Sequence, residues 1–298
     1  MDSLKALFTS QLGPKMEDPE EETFILFSQD IPSQNLGFID PSASMLELTV
    51  AGRDLTIYQS PGILSSTRSG GTTGAVVWKV TPLFAEWIST PDNILASAGV
   101  ISQSSSVLEL GCGTSAVVGL VLAPSVASFT MTDQSYVARL VEQNIQENNN
   151  SIKSKAAKGR RAKSAPQQQQ QQQQALRFMP LDWETDQVTA SLTGSPQAKS
   201  FDLVIACDCI YNESLIDPLA QTCVDVCRLR ELEAAPSSDG TSRPTVCVVA
   251  QQLRDPDIFE SWIKRFHRSF QVWRVPDTSL PEGLRSTSGF VVHVGLLK

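Results

Sequence analysis

Two short stretches of this chain hold the residues whose types and spacing are suited to chemistry. In "LELGCGTSA" (108–116), a strand runs into glycines that open a helix. Gly111 permits a sharp turn there, and Gly113 lets the backbone approach a ligand closely. A ligand at that point meets the free N–H groups of the helix N-terminus. Gly111, Gly113 and Ala116 fit G-x-G-x-x-[G/A], and Asp133 lies about 20 residues on, where an acid can hold a ribose hydroxyl. An adenosine-containing ligand is implied. In "IACDCIYN" (205–212), Asp208 and Tyr211 stand three apart with a cysteine on each side of the aspartate. Cys207 and Cys209 lack the spacing of zinc pairs and read as small apolar fillers. Asp208 follows a strand, so its carboxylate is expected at the rim where open α/β sheets bind ligands.

Three features separate S-adenosylmethionine from a dinucleotide. Glu109 sits two residues before Gly111, in reach of a cationic methionine end, whereas a carboxylate facing a pyrophosphate is unfavourable. The glycine turn begins past residue 100, after elements that an N-terminal dinucleotide domain does not need. "LDW" places Asp182 and Trp183 beside an adenine, where an acid bonds the amine and an indole packs on the ring. Together they favour S-adenosylmethionine.

The elements that must position these residues are legible in the hydrophobic pattern. "VLEL" (107–110), "ASFTMTD" (127–133), "ALRFMPLDW" (175–183), "FDLVIACD" (201–208) and "TVCVVAQ" (245–251) are strands alternating with helices. They predict a mainly parallel sheet covered on both faces. "FQVWRV" and "GFVVHVGLL" close the chain as an antiparallel pair after a helix near 256–268. The first 40 residues read as irregular, and 45–60 as a β-hairpin. Val77, Val80, Phe84, Trp87 and Ile88 recur at helical spacing, so Trp78 is either a core aromatic or a cofactor contact. A helix is expected from about 135 to 148. Residues 149–174, with six basic residues and eight consecutive glutamines, read as a disordered insertion.

"TGAVVW", "LELGCGTSAVVGL", an acid ending the second strand, "LDW" and "ACDCIY" occur in the order seen in seven-β-strand (class I) protein-lysine methyltransferases. The chain resembles that family over roughly residues 40–298, most closely its fungal ribosomal lysine N-methyltransferase branch. The resemblance implies an α/β, Rossmann-like, seven-stranded fold, with residues 1–60 as an N-terminal extension and 61–298 as the S-adenosylmethionine-dependent domain. It also implies a cofactor site at Trp78, Gly111, Cys112, Gly113, Asp133, Trp183 and Ala206. Asp208 and Tyr211 correspond to the family's D-x-x-Y motif on the substrate side, and the implied target is a lysine of a large-subunit ribosomal protein. Ser115 departs from the family, which often carries a third glycine there. On the residues alone, three roles for Asp208 stay open: steering the lysine, helping to deprotonate it, or capping the next helix.

Composition narrows the alternatives. A net charge of −8 over 298 residues argues against a general or sequence-specific nucleic-acid binder and suits a basic protein segment. The N-terminus is too polar for a signal peptide, and the longest apolar stretch, 116–127, is too short to span a bilayer. A soluble cytoplasmic monomer is expected, with nuclear import possible through the basic 153–163 segment. Cys223 and Cys227 match a buried helical face, and His267 and His293 have no ligand spacing, so no metal is expected. A hydride-transfer enzyme and a non-enzymatic binder remain as other readings. A serine hydrolase does not, because Val117 replaces the second glycine of a nucleophile elbow.

Overall fold

A computed structural model describes residues 2–33, 36–67, 71–159, 176–233 and 243–298. The chain begins with two helices, α1 (Asp2–Leu12) and α2 (Pro19–Phe27), where an irregular segment was expected. Leu4, Phe8 and Leu12 recur every four residues and bury one stripe of α1, with Phe8 edge-on to Trp273. In α2, Asp18 caps the helix from its side chain, Pro19 opens it, and Glu20 to Glu22 favour its positive end. Glu22 also reaches His293 Nε2 at 3.0 Å. Burial would raise the Glu22 carboxyl, but His293 and Arg274 hold it below its usual value.

The hairpin β1 (Met45–Val50) and β2 (Arg53–Tyr58) turns through Ala51 and Gly52, both at positive φ. The short helix α3 (Pro61–Leu64) and a 3₁₀ turn at Thr73–Ala75 lead to α4 (Val80–Ser89) and the one-turn α5 (Ile94–Ser97). Strand β3 (Ser106–Leu110) is buried throughout and leads into α6 (Val117–Leu122). Then come β4 (Ser128–Asp133), α7 (Ala138–Gly159) and β5 (Leu176–Pro180). The chain continues through β6 (Leu203–Cys207), α8 (Ile216–Glu233), β7 (Val246–Gln252), α9 (Pro256–Ser269), β8 (Phe270–Arg274) and β9 (Phe290–Leu297). Helix α7 continues to Gly159 rather than stopping at 148, because the lysines and alanines that follow are good helix formers. The glutamine run lies outside the described residues.

Seven strands form one sheet in the order β5-β4-β3-β6-β7-β9-β8. Strands β3 to β7 pair in parallel, and β9 runs antiparallel to both β7 and β8. The chain winds outward from β3 in both directions, so β3 and β6 flank the point where the strand order reverses. That point opens a crevice at the carboxyl ends of the strands. Alternate side chains bury on opposite faces. Val107, Phe129, Met131 and Ile205 pack with α4, α6 and α7, while Leu108, Val204 and Ala206 pack with α8 and α9. Strand alternation therefore turns Glu109, Asp133 and Cys207 toward the α4 side.

The hairpin is tied to the domain through its edge. Asn144 Oδ1 accepts from Tyr58 N (2.7 Å) while its Nδ2 donates to Tyr58 O and Thr114 O. One turn on, Asn148 repeats the exchange with Thr56 N and O. Two asparagines four apart on α7 thus satisfy the free edge of β2 as a neighbouring strand would.

Candidate cofactor and acceptor site

The crevice holds a cleft with about 860 Å³ of space between atoms, part of it open solvent. Its floor is the turn after β3. Gly111 (φ +68°) and Gly113 (φ +60°) adopt left-handed backbone, and a side chain at either position would be crowded. A Cβ on Gly111 would lie 2.6 Å from Cys209 Sγ and 3.1 Å from the Trp183 ring. One on Gly113 would lie 3.0 Å from Gly74 O. Ala116, also left-handed at φ +56°, opens α6. The turn is closed from above by the 3₁₀ segment, whose Gly74 O accepts from Thr114 N at 2.7 Å.

Of the nine residues expected here, eight line the cleft: Trp78, Gly111, Cys112, Gly113, Asp133, Trp183, Asp208 and Tyr211. Ala206 does not. Its side chain is buried on the opposite sheet face among Leu110, Val204 and Cys223. Asp133 Oδ2 accepts from Gly113 N (2.9 Å) and its Oδ1 from Gln134 N (2.7 Å). Burial outweighs those bonds and pushes its carboxyl up to about 6. Glu109, behind the turn, is pushed to about 8 by burial and by the charge of Asp133, and its Oε2 has no hydrogen-bond partner. The Trp183 indole N–H is likewise buried and unpartnered. Burial also raises the thiols of Cys112, Cys207 and Cys209 well above their usual value, so they are neutral fillers.

The other end of the cleft differs from expectation. Asp208 sits at φ +59° directly after β6, but its carboxylate is not free at the rim. Arg254 holds it with two bonds, Nη1 to Oδ1 at 2.7 Å and Nη2 to Oδ2 at 2.6 Å, and Gln252 N adds a third at 3.3 Å. The Asp208 side chain is 2% exposed. Nor is it a helix cap, since Asn212 caps the following turn through Ser214 N. Arg254 also lies 4.8 Å over the Trp78 ring and donates to Leu36 O. Trp78 precedes α4 rather than lying in it: it bridges Phe38, packs against that ring tilted by 41° with centroids 4.4 Å apart, and donates from its indole to Thr73 O. Tyr211 is 38% exposed at the cleft mouth, and burial raises its phenol while a bond to Thr73 lowers it.

Arg254 and Gly74 were missed by the sequence reading. Both had signals: Arg254 follows a strand at its carboxyl end, and Gly74 stands in a glycine-rich opening before Trp78. Neither signal names a partner, so the pairing with Asp208 and the cap over Gly113 emerge only from the fold.

The arrangement suits a ligand with a ribose, a flat base and a positive charge: Asp133 beside the turn, Trp183 against it, and Glu109 buried without a counter-charge. The lysine methyltransferase family's profile matches residues 59–160 and 162–232, more than half of the chain. The chain belongs to the lysine methyltransferase family. Ribosomal lysine N-methyltransferase 5 of Zygosaccharomyces rouxii is 31% identical over 230 residues, covering 71% of this chain and 70% of that protein. The protein of that name from Kluyveromyces lactis is 28% identical over 306 aligned positions, covering 89% and 91%. A Schizosaccharomyces pombe protein named diaminohydroxyphosphoribosylamino-pyrimidine deaminase is 26% identical over 261 residues. The match takes in 86% of this chain, which spans about half (53%) of that protein's length. Among the described residues no cluster of three or more His, Cys, Asp or Glu is placed to hold a metal ion. Again among the described residues, no helix is long and apolar enough to cross a membrane.

Proposed function

We propose that this chain transfers the methyl group of S-adenosylmethionine to a lysine side chain of a ribosomal protein, with a large-subunit protein as the expected target. The observation that carries this reading is the shared cleft: the glycine turn with Asp133 at one end, Asp208 and Tyr211 at the other. The names of the two yeast relatives supply the ribosomal half of the reading. When bound, S-adenosylmethionine supplies an electrophilic methyl group on a positively charged sulfur.

The residues divide the remaining work. Asp133 would hold the ribose diol of the bound cofactor, Trp183 would pack on the adenine with Asp182 near its amine, and Glu109 would face the cationic methionine end. Gly111, Cys112 and Gly113 form the floor. Placing nitrogen and methyl carbon in line accounts for most of the acceleration. A lysine has a pKa near 10.4, so its ammonium must lose a proton before attack. Asp208 does not trap that ammonium, because Arg254 cancels its charge. The neutralised pair favours the free amine, since a lone carboxylate would hold the proton on. Tyr211 keeps its own proton and packs against the lysine stem, and solvent at the mouth receives the proton from the amine.

Titration calorimetry with S-adenosylhomocysteine and with NAD tests the cofactor half of this reading. Binding of S-adenosylhomocysteine alone is expected. Binding of NAD instead would favour the hydride-transfer alternative and overturn the reading.

A further inference from the structure

A second, smaller pocket lies across Tyr211 from the cofactor cleft, with about 330 Å³ of space. Ile210, Ile258 and Phe259 give it apolar walls, and Tyr211 belongs to both cavities. Gln251 lines it from the carboxyl end of β7. This residue is 1% exposed, and its side-chain nitrogen has no hydrogen-bond partner. The neighbours with the same strand parity, Cys247 and Val249, are apolar and pack on the α8 and α9 side. An amide at the next such position, buried and unpaired, is costly unless something arrives to accept from it. The charges at the pocket's edge are already engaged: Arg254 holds Asp208, and Asp255 Oδ1 caps α9 through Asp257 N and Ile258 N. An anionic occupant would therefore find no free cation, and the buried Gln251 N–H cannot accept from a cationic one, whereas a neutral occupant with an acceptor oxygen satisfies both the walls and the amide.

We propose that this pocket is a specificity subsite for the protein substrate, taking an uncharged side chain that ends in a carbonyl oxygen, glutamine or asparagine. The inference rests on the lysine-methylation reading. An extended peptide advances about 3.3 Å per residue, so the two sides of one tyrosine ring are spanned within one or two residues. The occupant is therefore one or two positions from the acceptor lysine.

The test uses peptides spanning the lysine that the full chain labels on salt-washed ribosomes, with Gln, Leu or Glu at each of the two positions on either side of it. At one position the wild-type chain should prefer Gln over Leu about three- to tenfold, the worth of one neutral hydrogen bond, and reject Glu. Gln251→Met should bring the Gln-to-Leu ratio to about one, leave S-adenosylmethionine affinity unchanged and keep or raise Tm. Ile258→Trp, which fills the pocket from α9, should raise KM for the peptide while leaving kcat. No flanking preference in the wild type, or the same preference in Gln251→Met, would overturn the subsite and leave the methylation reading standing. Loss of cofactor affinity together with the preference would overturn it as well, since Gln251 would then be structural. If no lysine is labelled at all, the methylation reading fails and the subsite falls with it.

Discussion

At the residue scale, the cleft separates two ways of handling a buried acid. Asp208 is neutralised by Arg254 at hydrogen-bond distance, whereas Glu109 lacks a counter-charge and stays protonated up to about pH 8. Each arrangement has a measurable consequence. The raised Glu109 means that the ligand-free chain carries a proton that a positively charged ligand must displace. S-adenosylmethionine affinity should therefore rise as pH increases from 6 to 8, and Glu109→Gln should flatten that rise in calorimetry. Stability responds with the opposite sign: the contribution of neutral Glu109 is complete below its ordinary pKa of 4.5 and is lost as pH rises through about 8. For Arg254, replacement by Gln frees the Asp208 carboxylate to hold the lysine as its ammonium. Arg254→Gln should keep cofactor affinity, lower kcat/KM roughly 10²-fold and move the acid limb of the rate profile to higher pH. An unmoved limb would mean that the pair is only structural. Asp208 and Tyr211 were legible as a motif at a strand end, and the structure brings both to the cleft. The burial of Asp208 was not legible, because its partner is 46 residues away in sequence and pairs with it only across adjoining strand ends.

At the element scale, the glycine turn and the hairpin anchor carry the geometry. Gly113→Ala combines left-handed backbone, worth about 1–2 kcal/mol against alanine, with a Cβ held against Gly74 O. Its expected result is a Tm lower by a few degrees and S-adenosylhomocysteine binding weakened at least tenfold; unchanged binding would show that the turn tolerates a side chain. Asn144→Ala removes three hydrogen bonds between α7, Tyr58 and Thr114 and leaves the Tyr58 end of the β2 edge unpaired. A loss of about 1–3 kcal/mol in denaturant unfolding is expected. The strands were readable because buried parallel strands are short apolar runs, and β3, β6 and β7 are buried along their whole length. The N-terminal helices were missed although their marks were present: a four-residue apolar stripe in α1 and an Asp-Pro-Glu start in α2. Acidic and proline residues there drew attention as breaks, when they were helix starts.

At the scale of the whole molecule, an open α/β sheet brings two functions to one edge. The β3–β4 side holds Asp133 and the glycine floor, and the β6–β7 side holds Asp208, Arg254 and Tyr211. The reversal of strand order between β3 and β6 is what lets the two halves face one cleft. A net charge of −8 adds long-range attraction for a basic protein surface, an effect that weakens with salt. The central claim is that the cleft moves a methyl group to a protein lysine, and mapping transferred label tests it most directly. The full chain is incubated with methyl-labelled S-adenosylmethionine and salt-washed ribosomes, and the products are mapped by peptide mass spectrometry. The account predicts label on a lysine side chain of a ribosomal protein, reduced in Arg254→Gln although cofactor binding is kept. Label confined to RNA, or no labelled lysine at all, would contradict it.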